Sequence, residues 1–116
     1  MMLTHSMTGD ILVLTATTDR IDAANAIHLK DEFRDATGGF AGRIVMDLSS
    51  VKFMDSSGLG AMVAALKTLS GRKLELADMS VTVDKVFRLT RMDKVFVLHD
   101  TLADALSIPA KGIDAA

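Results

Sequence analysis

Apolar residues fall along the chain in blocks whose period alternates between that of a strand and that of a helix. Leu3 to Met7 and Ile11 to Leu14 are rich in β-formers and flank the turn signal Gly9-Asp10, which predicts a hairpin. Ala26, Leu29, Phe33 and Ala36 then step by three and four, the spacing of one buried helix face. Asp22 is the expected N-cap of that helix, and Gly38-Gly39 ends it after about Thr37. From Arg43 to Leu48 the apolar run Ile44, Val45, Met46 and Leu48 is nearly unbroken, as in a central strand. After the loop Asp55-Ser56-Ser57-Gly58, the residues Leu59, Met62, Val63, Leu66 and Leu69 form the stripe of a second helix, closed by Gly71. Leu66 is taken as a core position, with a cost of about 2–5 kcal/mol expected for Leu66→Ala. Lys73 to Ala77 alternates, Leu74 and Leu76 one way and Lys73 and Glu75 the other, which predicts a half-buried strand. Ser80 can cap a third helix carrying Val83, Val86 and Phe87, and Val95 to Leu98 is a last short strand. A last helix is expected from Thr101 to Ile108, opened by a weak Thr101/Asp104 capping box and stopped by Pro109.

Strands that alternate with helices require crossover connections, and the opening hairpin makes the sheet mixed. The expected fold is therefore α/β, a four- or five-stranded mixed sheet with about four helices. A length of 116 residues suits one compact domain over 1–116. With 49% apolar and 24% charged residues, a packed core is expected rather than disorder.

The charge balance narrows the function. Thirteen basic and fifteen acidic residues leave a formal charge of −2, without the concentrated basic footprint of a nucleic-acid binder. Any effect on transcription is thus expected to run through another protein. There is no cysteine, and His5, His28 and His99 stand too far apart in sequence to form a ligand-spaced pair. Leu59 to Leu66, the longest largely apolar run, is far short of the roughly 20 residues of a membrane span. The opening MMLTHSMTGD lacks a basic start followed by an apolar stretch, so the expected compartment is the cytoplasm.

The most informative segment is Asp47 to Gly60, where a strand runs through a short loop into a helix. On physical grounds Ser56 or Ser57 can act as an N-cap. Gly58 and Gly60 leave the first turn without bulk, so another surface could approach closely, although each glycine costs about 1 kcal/mol relative to alanine. Tight internal packing and a docking surface both remain open on those grounds.

The string FMDSSGLG, residues 53 to 60, resembles the phosphorylation motif of the anti-sigma-factor antagonists, the bacterial branch of the STAS domain family. The likeness extends through Ile21-Asp22, Val45 to Leu48 and Val83 to Val95. It is strongest over 9–105, with 109–116 expected to form a loose tail. Asp19 and Arg91 depart from it, each standing where many members have glycine.

The resemblance implies a STAS-like fold and phosphorylation of Ser56, the serine directly after the aspartate. It implies a switch surface of Asp22, Asp55, Ser56, Ser57, Gly58, Leu59 and Gly60. It also implies partner switching: the unphosphorylated protein binds an anti-sigma factor that is a GHKL-type serine kinase, and so releases the sigma factor. Phosphorylation reverses the binding, and a serine phosphatase restores it. The chain has no Gly-x-x-x-x-Gly-Lys-Ser/Thr loop of its own, so it is expected to be a kinase substrate rather than an enzyme, with no cofactor or metal. Two alternatives stay open: a switch acting on a phosphatase or cyclase instead of a sigma factor, and an accessory subunit of a transporter ATPase.

Overall fold

The computed structural model describes residues 2–108. The expected tail over 109–116 and the stop at Pro109 lie outside those residues.

Strands β1 (Leu3–Thr8) and β2 (Ile11–Ala16) form the expected antiparallel hairpin. Strands β3 (Arg20–Ile21) and β5 (Phe53–Met54) form a small ribbon of their own, and β4 (Ile44–Asp47) continues the main sheet in parallel with β2. Next in the main sheet are β6 (Glu75–Ala77) and β7 (Val97–His99), both parallel, giving the order β1-β2-β4-β6-β7. Four helices accompany it among the described residues: α1 (Ala26–Thr37), α2 (Ser56–Lys67), α3 (Val81–Leu89) and α4 (Leu102–Ser107). The mixed sheet and the helix number agree with the sequence expectation. The last strand begins two residues later than expected, because Met92–Lys94 form a 3₁₀ turn and Val95 caps it.

Two clusters of buried residues divide the core. Leu12, Leu14, Ile44, Met46, Leu74 and Leu76 point to the side that also holds Leu29 and Phe33 of α1, Met62 of α2 and Phe87 of α3. Ile11, Val13, Val45 and Ala77 point to the other side, against Ala105, Leu102 and Leu106 of α4. Cover on both faces accounts for the consecutive apolar residues Ile44, Val45 and Met46 of β4.

That second layer overturns the half-buried reading of Lys73 to Ala77. Glu75, Leu76 and Ala77 are all buried, and Glu75 is only 2% exposed. Its carboxylate is held from two sides: Arg43 Nε donates to Oε2 at 2.7 Å and Arg43 Nη2 to Oε1 at 2.5 Å, while His99 Nε2 lies 2.8 Å from Oε1. Arg43 also donates to the carbonyls of Ala105 and Ile108, which ties the end of α4 to the sheet. The alternation identifies two faces but carries no sign that α4 covers the second.

The stripe of α2 is also rotated from the expected one. Gly58, Ala61, Met62 and Ala65 are buried, whereas Leu59, Val63 and Leu66 are half-buried at its margin. The small residues let α1 pack closely, and Met62 supplies the volume. Met62→Ala should therefore cost about 2–5 kcal/mol in urea unfolding, and Leu66→Ala clearly less, in place of the core-sized loss expected from sequence.

Arg91 adopts a left-handed backbone, φ 64°, at the turn after α3. Glycine enters that region without the steric cost a Cβ brings. Arg91→Gly should stabilise the fold by about 0.5–1 kcal/mol, seen as a raised urea midpoint at an unchanged slope. Asp19 carries no such strain; its carbonyl accepts from Lys52 N and Phe53 N at 2.8 and 3.2 Å.

Candidate functional site

Two segments distant in sequence meet beside the start of α2. Strand β3 pairs in parallel with β5, in the register Arg20↔Phe53 and Ile21↔Met54. The next residues on each strand are Asp22 and Asp55, so both aspartates follow the same end of this ribbon. Asp55 N donates to Ile21 O at 3.3 Å and extends the pairing. Strands of two residues leave no periodicity to detect, so neither was expected from the sequence.

Asp55, rather than Ser56 or Ser57, caps α2. Its backbone is extended and its Oδ1 accepts from Gly58 N at 2.8 Å. Aspartate is as good a cap as serine, and it stands one residue earlier, where the chain is still extended. Ser56 and Ser57 become the first two residues of the helix, both exposed, and neither hydroxyl makes a hydrogen bond within the described residues.

Asp22 is likewise displaced from its expected part. The helix α1 begins at Ala26 with Asn25 at the N-cap position, and no side chain caps it. Asp22 instead organises the turn before the helix. Its Oδ1 accepts from Ala24 N at 3.0 Å, and its carbonyl accepts from Ala26 N at 2.9 Å. Asn25 closes the turn, accepting from Asp22 N and donating to Arg20 O at 2.9 and 2.8 Å. The remaining oxygen, Asp22 Oδ2, pairs with Arg20 Nε at 3.2 Å.

The two glycines of the motif separate in role. Gly58 is buried, and a Cβ there would overlap the carbonyl oxygen of Ile21 and lie 2.8 Å from its carbon. Its bareness serves the chain's own packing: it allows the helix start to rest on β3. Gly60 is exposed, and a Cβ at that position would meet nothing within 4 Å, so it presents an open backbone to solvent. Leu59 is half-buried against the main core.

Three residues outside the sequence-based set border this end. Phe53 is 38% exposed, and the Arg20 guanidinium lies over its ring, 4.4 Å from the centroid. Ile27, in the first turn of α1, is 72% exposed. Phe53 belongs to the motif string, yet its exposure is invisible until β5 is recognised as a surface ribbon.

Chemically, this end offers a free hydroxyl, a helix start and neighbouring carboxylates. Asp47 Oδ1 accepts from Ser49 N at 2.9 Å and Asp55 Oδ1 from Gly58 N at 2.8 Å, so each of these carboxylates serves its own local turn or cap. Among the described residues no group of three or more His, Cys, Asp or Glu is placed to hold a metal. No described helix is long and apolar enough to cross a membrane.

The family model described as STAS domain matches residues 5–105. A Thermotoga maritima protein with the provisional name of anti-sigma factor antagonist is 29% identical over 111 residues, covering 90% of this chain and 95% of its own. The anti-sigma-B factor antagonist of Listeria monocytogenes is 41% identical over 71 residues, 60% of each chain. In three dimensions, the crystal structure of an anti-sigma factor antagonist from Mycobacterium paratuberculosis superposes with a TM-score of 0.80 at 25% identity, over 90% of both chains.

Proposed function

Since this chain belongs to the STAS domain family, we propose that it is an anti-sigma-factor antagonist that works by partner switching. In its unphosphorylated form it binds an anti-sigma factor that is also a serine kinase, and the sigma factor is released. Phosphorylation of Ser56 by that kinase ends the binding, and a phosphatase restores it. The chain is the substrate of this chemistry; ATP and the catalytic base belong to the partner.

The observation that carries this reading is the unused hydroxyl of Ser56. It is exposed on the first turn of α2, and the cap that a serine there could have supplied comes from Asp55. Modification therefore removes no bond on which the fold depends. A phosphate adds about −1.5 to −2 charge, and a helix N-terminus favours such charge by roughly 0.3–1 kcal/mol. A partner carboxylate about 6 Å away would instead be repelled by roughly 1 kcal/mol in bulk water and about 5 at an effective dielectric of 20. The fold tolerates the phosphate; an apposed acidic surface does not.

Incubation with the cognate kinase, ATP and Mg²⁺ tests the site. Wild type and Ser57→Ala should incorporate phosphate, and Ser56→Ala should incorporate none. Equal labelling of Ser56→Ala and wild type would place the modification elsewhere.

A further inference from the structure

A cluster of basic residues lies beyond the C-terminal end of α2. Helix α2 runs about 17 Å from Ser56 to Lys67 at 1.5 Å per residue. It ends beside the start of β6, where two concave surfaces of about 470 and 270 Å³ meet and share Lys73 and Val95 as walls. Lys67, Arg72, Lys73, Arg88 and Lys94 line these two adjoining surfaces, taken together as one groove, with Asp93 as the one carboxylate among the lining residues. Asp84 pairs with Arg88 and Asp100 also acts on it, so the local excess of positive charge rests on Lys67, Arg72, Lys73 and Lys94, on a chain whose formal net charge is −2.

The cations differ in freedom. Arg72 is fixed by donating to the carbonyls of Phe40 and Gly42, and Arg88 by its 2.9 Å bond to Asp84, whose hydrogen bond and charge raise the arginine's pKa. Lys67, Lys73 and Lys94 are exposed and make no ion pair among the described residues. Val95, 42% exposed, lines both concavities. Nothing in the motif-bearing end requires this arrangement.

We propose that this groove docks an extended acidic segment of a partner protein, with an apolar side chain set on Val95 and carboxylates on the flanking lysines. Length and composition select that occupant. Two joined concavities are larger than a single inorganic anion needs. Single-stranded nucleic acid takes much of its affinity from stacking on aromatic rings; the one aromatic residue among the lining set, Phe96, is buried at 3% exposure. Charge complementarity of this kind sets orientation and association rate, and it weakens as salt rises. The groove lies at the opposite end of α2 from Ser56, so phosphorylation there is expected to leave its occupancy unchanged.

The probe is a fluorescein-labelled peptide of one leucine flanked by three glutamates on each side, followed by fluorescence anisotropy and by amide NMR shifts on the full chain. Shifts should concentrate at Lys67, Lys73, Lys94 and Val95. Lys73→Glu/Lys94→Glu should weaken binding at least about tenfold, and Lys73→Gln/Lys94→Gln by less. Lys30→Glu on α1 and Ser56→Asp should leave it unchanged. Absence of binding, shifts centred on Ser56, or equal binding by the double reversal variant would overturn the proposal. So would tighter binding of oligouridine or of inorganic phosphate at the same residues.

Discussion

Arg43→Met should destabilise the protein by about 3–5 kcal/mol, a loss set by what it leaves behind. Glu75 is 2% exposed, and its carboxylate takes two hydrogen bonds from Arg43. Without the guanidinium, the buried Glu75 carboxylate keeps only His99 as a side-chain partner among the described residues. The same substitution also removes the donors that hold the carbonyls of Ala105 and Ile108, so the end of α4 should loosen first. Urea unfolding would report the total, and hydrogen exchange would show whether amides of α4 lose protection before those of β4. The exposed Arg88–Asp84 pair is the contrast: Arg88→Ala should change stability by less than about 1 kcal/mol. Loss of comparable size from both variants would mean that the Arg43–Glu75 pair is not the fastening that the geometry describes.

The second large effect separates Gly58 from Gly60. A methyl at Gly58 meets the backbone of Ile21, and a backbone carbonyl cannot swing aside as a side chain can. Gly58→Ala should therefore cost at least about 2 kcal/mol, within the range of overpacked sites, and displace β3 from β5. Amide shifts at Ile21, Asp22, Met54 and Asp55 would reveal that movement. Gly60→Ala has open space, and replacing an exposed helical glycine should raise stability by up to about 1 kcal/mol. If a partner approaches the bare backbone at Gly60, that variant gains stability and loses affinity. Equal and small effects from the two alanines would show that the α2 start does not rest on Ile21.

The large features were legible in the sequence because they rest on long patterns. The hairpin around Gly9-Asp10, the nearly unbroken run of β4 and the Ser80 cap, which accepts from Val83 N at 3.2 Å, all lie where the residues predict them. What escaped it depends on contacts between distant residues. Arg43 and Glu75 are 32 positions apart, and only the two-sided cover of the sheet brings a glutamate inward. The β3–β5 ribbon joins Ile21 to Met54 through two residues on each strand, too few for any periodicity. That ribbon in turn explains why Gly58 is bare and why Asp22 and Asp55 follow it at one end. In a one-dimensional reading, glycines in a helix start admit internal packing and a docking surface alike; the structure assigns Gly58 to the first and leaves Gly60 open for the second.

On the proposed function, charge at Ser56 should break partner binding without disturbing the fold. The direct measurement is the affinity of wild type, Ser56→Ala and Ser56→Asp for the cognate anti-sigma factor, by titration calorimetry, with circular dichroism recorded on each sample. Ser56→Ala should bind nearly as well as wild type. Ser56→Asp should keep a native spectrum and bind at least about tenfold more weakly, a difference of about 1.4 kcal/mol or more. A folded Ser56→Asp protein that binds as tightly as wild type would show that charge at this position does not control binding.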